Sequence, residues 1–155
     1  MNRKHTPLIL SLLLVLILCV SCASETPVEE PAAPEEPAAG PALTLSGMVD
    51  AEMAWTEAEL QAMETMDAEY TDKDGETTTY SGVPLNALLE LAGVQDGATE
   101  LVFVADDGFE GTAVLEELLA CANCIVAFDD GSLRMVLPEF PGKANVKGVV
   151  EIKAQ

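Results

Sequence analysis

Tyr80-Ser-Gly-Val-Pro-Leu-Asn-Ala-Leu-Leu-Glu-Leu-Ala-Gly93 is the stretch whose reading decides the fold. It reads as the end of a strand, a tight turn at Gly82 and a helix starting at Pro84. Proline suits a first helical position, because its fixed φ matches the turn and its missing N–H would be unpaired there anyway. Leu85, Leu88, Leu89 and Ala92 then recur at the spacing of one helical face. Gly93 supplies the left-handed stop. A helix packed on a sheet is the expectation.

Upstream, residues 66–70 and 77–80 flank Asp72-Lys73-Asp74-Gly75, and the Asp-Gly pair predicts a hairpin. The Asp-x-Asp-Gly spelling also occurs at the start of calcium loops, but no glutamate follows at the spacing such a loop requires, so the turn is preferred. Further back, Thr56 and Glu59 have capping-box spacing, and Trp55 and Leu60 sit where a hydrophobic staple clamps a helix start. That gives the lone tryptophan a structural role in preference to stacking on a ligand. Leu43-Thr-Leu-Ser-Gly47 reads as a first strand.

Downstream, Glu100-Leu-Val-Phe-Val-Ala105 is a continuous apolar run and predicts a buried strand, turned by Asp106-Asp107-Gly108. Residues 112–120 read as a helix with Leu115, Leu118 and Leu119 inward. Residues 124–128 predict a second buried strand, ended by Asp129-Asp130-Gly131. Residues 133–137 and 146–152 complete a strand-rich C-terminal half around an irregular loop at 138–142, with Lys147, Glu151 and Lys153 outside. Short helices among hairpin-spaced strands argue for an α+β class, a compact mixed-sheet domain, rather than a doubly wound sheet.

This domain occupies residues 43–155, enough chain for one core without metal or disulfide support. Before it, residues 1–21 read as a signal peptide. Arg3, Lys4 and His5 form a basic start, and residues 8–20 are apolar apart from Ser11. That run is too short to span a bilayer, which takes about 20 residues, and it fits a secretory signal. Leu18-Cys19-Val20-Ser21-Cys22-Ala23 resembles the lipobox of bacterial lipoproteins. The resemblance implies lipidation of Cys22; ordinary signal cleavage near Ala23 is the alternative. Residues 22–42 form a linker rich in proline, alanine and glutamate, with almost nothing to bury. As a semi-rigid tether it reaches up to roughly 60 Å. The expected location is extracytoplasmic, held to a bacterial membrane through the lipid.

Composition excludes several classes of function. The only histidine, His5, leaves with the signal, so no imidazole remains for general-base work, metal ligation or a triad. All 27 acidic residues lie beyond Cys22, where only Lys73, Arg134, Lys143, Lys147 and Lys153 are basic. Phosphate backbones would be repelled, which argues against nucleic acid as a partner.

Four cysteines occur; Cys19 goes with the signal and Cys22 with the lipid, leaving Cys121-Ala-Asn-Cys124. A C-x-x-C pair serves as a redox couple, half of a zinc site or a small disulfide. Zinc lacks its other ligands here, so no metal site is expected. The pair also follows a helix rather than starting one, which favours a structural disulfide or two buried thiols over redox activity.

Tyr80-Ser-Gly-Val-Pro-Leu-Asn-Ala-Leu-Leu-Glu-Leu-Ala-Gly-Val94 resembles the motif of the sulfite-oxidase-like molybdopterin-binding domain family, an aromatic followed by Gly-x-Pro-Leu and a leucine-rich helix. Tyr80, Gly82, Pro84 and Leu85 carry that match. Asp107-Gly108-Phe109, Ile125-Val-Ala-Phe-Asp-Asp-Gly131, Leu133-Arg-Met-Val-Leu-Pro138 and Lys147-Gly-Val-Val-Glu-Ile152 follow in the family's order. The resemblance implies the family's fold over nearly all of residues 43–153.

The same resemblance implies that in catalytic members a cysteine upstream of the aromatic ligates molybdenum, while histidines and arginines grip the pterin phosphate. Residues 67–80 hold no cysteine, and beyond the signal the chain has no histidine and one arginine. The segment between Asp130 and Leu133 is also shorter than in the enzymes, leaving less chain to wall a cofactor. No catalytic residue is therefore expected, and molybdopterin is suggested by resemblance alone. The expected function is a lipid-anchored extracytoplasmic binding or interaction module of unidentified ligand or protein partner, leaning away from enzyme. The alternative is a molybdopterin-dependent oxidoreductase or electron-transfer component.

Overall fold

The computed structural model describes residues 40–155. The expected signal peptide, the expected lipidation site Cys22 and almost all of the expected linker lie outside the described residues. Among the described residues no helix is long and apolar enough to cross a membrane.

Among the described residues, nine strands are interspersed with three short helices. They run β1 (Leu43–Gly47), β2 (Met53–Trp55), α1 (Glu57–Gln61), β3 (Met66–Thr71), β4 (Thr77–Pro84), α2 (Leu85–Ala92), β5 (Glu100–Ala105), β6 (Glu110–Val114), α3 (Leu115–Ala120), β7 (Ile125–Asp129), β8 (Ser132–Val136) and β9 (Val149–Ala154). A single 3₁₀ turn, Gly142–Ala144, precedes β9. Two sheets result, a five-stranded one in the order β2-β1-β9-β5-β6 and a four-stranded one in the order β3-β4-β7-β8. Every pairing is antiparallel except β1 with β9. This is the mixed-sheet α+β domain expected from the spacing of turns and apolar runs.

The main core draws on both sheets and all three helices. Leu43 and Leu45 of β1, Leu101 and Phe103 of β5, Ile152 of β9, Val126 of β7, Met135 of β8 and Leu88 of α2 belong to one buried cluster. Full burial of each such side chain contributes roughly 1.5–3 kcal/mol. Thr56 caps α1 through the expected box, its hydroxyl accepting from the Glu59 amide while the Glu59 carboxylate accepts from the Thr56 amide at 2.8 Å. Trp55 and Leu60 are both buried in the main core. The expected hairpin at Asp72–Gly75 joins β3 to β4, with Thr71 opposite Thr77.

Three local expectations need correction. Gly82 makes no turn: it lies inside β4, paired with Met66 on one side and Ala127 on the other. A Cβ there would stand 2.5 Å from the Cα of Ala127 and 2.7 Å from the carbonyl carbon of Val126, so glycine is required by a close backbone approach. The helix starts at Leu85, and Pro84 is the last residue of β4. The helix expected over residues 112–120 begins only at Leu115. Glu110–Val114 is strand β6, alternating buried Gly111 and Ala113 with exposed Glu110, Thr112 and Val114, because pairing with β5 outweighs helix propensity there. Leu119 consequently faces solvent.

Candidate functional site

The four-stranded sheet has two faces of different chemistry. Strand alternation sends Val83, Val126, Leu133 and Met135 into the main core. It sends Met66, Ala68, Tyr70, Tyr80, Ile125, Ala127 and Val136 to the other side, where they form a smaller apolar cluster. Asp129 and Arg134 share that outer face, since each stands two residues, or one register step, from its members.

One lateral row across this face sets the geometry. Met66 pairs with Gly82, Gly82 with Ala127, Ala127 with Arg134, and Arg134 with Lys147 through an isolated bridge. β8 and β4 stand about 10 Å apart with β7 between them. Small residues at Ala127 and Gly82 leave the Arg134 side chain free to lie across β7. Its guanidinium carbon stands 4.3 Å from the centre of the Tyr80 ring and 5.5 Å from that of Tyr70. Cations in such positions are attracted to the ring faces.

Arg134 is the only arginine among residues 40–155, and it is 3 % exposed. Its Nη1 donates to the Tyr80 hydroxyl at 2.6 Å and to Asp129 Oδ2 at 3.3 Å. Its Nε is buried with no hydrogen-bond partner. Burying a guanidinium is costly unless it is paired, so Asp129 and the two rings are what hold the charge there.

Above this floor opens a cleft of about 500 Å³. The hairpin from Tyr70 to Tyr80 forms one wall, and Gly142, Asn145 and Lys147 form the other. Asn145 is buried and fixes that second wall by accepting from the Leu137 amide at 2.6 Å and donating to the Leu137 carbonyl. At the rim, the Asp72 carboxylate accepts from the amides of Asp74 and Glu76. Those bonds, the Glu76 amide first, hold its carboxyl below the ordinary range. Asp74 pairs with Lys73 at 2.6 Å. The acidic hairpin is thus largely engaged with itself.

A larger groove of about 700 Å³ lies between α2 and α3, lined by Leu89, Val94, Leu115, Leu119 and the acids Glu90, Asp96 and Glu116. No cation is among its lining residues, and Asn86 contributes a buried amide oxygen without a hydrogen-bond partner.

Of the residues singled out from sequence, only Tyr80 lines the cleft. Gly82 and Pro84 shape β4, and Leu85 is wholly buried in the main core. Cys121 and Cys124 form a disulfide, with Cα atoms 5.6 Å apart, and pack in the main core away from the cleft. The cleft therefore offers no thiol, and its donor set of phenols, guanidinium, ammonium and carboxylates does not fit a molybdenum held by a protein cysteinate. Among the described residues no group of three or more acidic, cysteine or histidine side chains is placed to hold a metal. Tyr70, Arg134, Asn145 and Lys147 were missed as site residues. A readable signal was the arginine inside the apolar strand Leu133-Arg-Met-Val-Leu137, where a charge is out of place unless a site receives it.

No family model and no curated protein matches the chain. Among solved structures, the sulfane dehydrogenase SoxCD from Paracoccus pantotrophus is similar, with a TM-score of 0.62 and 18 % identity. The match covers 72 % of this chain and 37 % of that one. Likeness at that identity speaks for the backbone alone. The fold is the compact mixed-sheet α+β fold of the sulfite-oxidase-like kind.

Proposed function

We propose that this chain is a non-catalytic binding module, tethered outside a bacterial cytoplasmic membrane through lipid on Cys22, whose ligand site is the cleft over Arg134. The observation that supports this reading is the content of the cleft. The hairpin over residues 67–80, where the family resemblance places a metal-ligating cysteine, contributes Tyr70 and Tyr80 around a buried arginine instead of a thiol. Such an arrangement holds and orients a bound molecule. Its lining offers neither thiol nor imidazole.

Intact mass and metal content of the protein from its own host provide the test. The expected result is a diacylglyceryl-modified Cys22, detergent partitioning that Cys22→Ala abolishes, and no stoichiometric molybdenum. About one molybdenum per chain with turnover of a sulfur oxyanion would overturn the non-catalytic reading. A Cys22→Ala protein that is still processed and anchored would overturn the tether.

A further inference from the structure

We infer that the Arg134 cleft takes a small monocarboxylate with an apolar body. The inference rests on the proposed binding role of that cleft and names the ligand class. Three observations converge on it.

The first is the distribution of cations. Beyond Cys22 the chain has only five basic residues against 27 acidic ones. Lys73, Arg134 and Lys147 all line this one cleft. Lys73 is paired with Asp74, and Asp72 and Glu76 line the cleft too, so the cations that remain for a ligand are Arg134 and Lys147 on its floor.

The second is the bridge between Arg134 and Lys147. Bridge partners project to the same face, and like charges directly opposite are destabilising. Only Asp129, at 3.3 Å from Arg134, offsets the pair. Among the described residues Lys147 has no ion-pair partner, so the floor keeps one uncompensated positive charge. Arg134 Nε is also left without an acceptor. An anion bound between the two cations removes the repulsion.

The third is the surround, which limits the ligand's charge and shape. Asp72, Asp74 and Glu76 stand at the rim. A dianion such as phosphate meets about twice the repulsion from them that a monoanion does. The floor's single spare charge matches one carboxylate. Tyr70 and Tyr80, both half-buried, give an apolar wall for the rest of the molecule. In so acidic a protein the cleft thus admits one negative charge and resists two.

Titration calorimetry on the full chain in detergent at low salt tests this, with phenylacetate, acetate, inorganic phosphate and phenethylamine as probes. Phenylacetate should bind with a Kd of about 1 mM or tighter, with acetate and phosphate each at least about tenfold weaker. Lys147→Gln should weaken phenylacetate about tenfold without lowering the unfolding midpoint of the ligand-free protein, because Lys147 is exposed and its charge opposes that of Arg134. Arg134→Lys, which keeps the charge and loses the planar fork, should weaken it too. Phosphate or phenethylamine binding more tightly than phenylacetate would overturn the inference, as would indifference to Lys147→Gln. Absence of phenylacetate binding at about 10 mM would do the same. A different small molecule co-purifying with the protein and lost in Lys147→Gln would overturn the carboxylate class and leave the binding role standing; stoichiometric molybdenum with turnover would overturn that role instead.

Discussion

Replacing Gly82 by alanine should cost about 2–3 kcal/mol, although the side chain gained is a single methyl group. The added carbon would meet the Cα of Ala127 at 2.5 Å and the carbonyl carbon of Val126 at 2.7 Å. Ordinary carbon contacts need about 3.5–4 Å, so the β4–β7 junction must open by roughly 1 Å. That junction consists of three residue pairs, Gly82 with Ala127, Val83 with Val126 and Pro84 with Ile125. The colliding atoms are backbone and have no rotamer to adopt. For a domain near this size the loss lowers Tm by about 10 °C, which thermal and urea unfolding both measure. Gly75→Ala is the control. A Cβ at the hairpin tip meets nothing within 4 Å, so only the positive φ of 83° is strained. The Gly75 variant should lose about 1–2 kcal/mol from that cause alone. The Gly82 variant should also weaken ligand binding, because Tyr80 is two residues away on the same strand face. A Gly82→Ala protein within about 0.5 kcal/mol of the parent would refute the close-approach account, since surface-like tolerance is what that margin signifies.

Changing both Cys121 and Cys124 to alanine should leave the fold intact and shift stability by no more than about 2 kcal/mol, because the loop they close is very short. Dithiol-oxidoreductase activity in the parent, lost in the variant, would contradict that. Thr56→Ala removes half of the capping box and should destabilise the protein by about 1 kcal/mol, read from urea midpoints. Lowering pH should release the hairpin tip late. The Asp72 carboxyl is held below its ordinary value of 3.8, chiefly by the Glu76 amide, so its contribution is present above that value and lost as pH falls through the lower folded value. Amide signals of Asp74 and Glu76 should therefore hold their positions through the ordinary aspartate range and move only below it; movement centred at the ordinary value would contradict the bonding described.

How much of this was legible in the sequence follows the range over which each feature is specified. The capping box of Thr56 and Glu59 and the Asp-Gly turn each span four residues, and the left-handed stop at Gly93 is a single residue with φ of 66°. Each carries its own local physics and was read correctly. Thr112, Ala113 and Val114, the end of strand β6, read as the start of a helix because such residues carry little strand signal until β5 pairs with them. Gly82 was misread for the opposite reason. A glycine before a proline suggests a turn, and only the approach of β7, more than 40 residues later, shows why a side chain is forbidden. The site was least legible. Arg134 and Tyr80 meet across 54 residues, and neither residue's neighbours announce the other.

The same sheet explains how such a fold persists while its chemistry changes. Along β8, Leu133 and Met135 enter the main core while Arg134 and Val136 take the outer face. A slip of one residue against β7 would drive the guanidinium into the main core and expose Leu133 and Met135, so the apolar inner face fixes the register by itself. The outer face carries no such burden beyond its small cluster. Its residues are free to hold a phenol, a guanidinium or, in another chain, a thiol, with the backbone unchanged. At 18 % identity to a dehydrogenase of the same fold, the backbone is what the two chains share. Function must then be argued from Tyr70, Tyr80, Arg134 and Lys147, which line the cleft on that face. Substitutions at Leu133 or Met135 should register in unfolding midpoints, and substitutions at Lys147 in ligand affinity. Their separation is the physical content of one sheet with two faces.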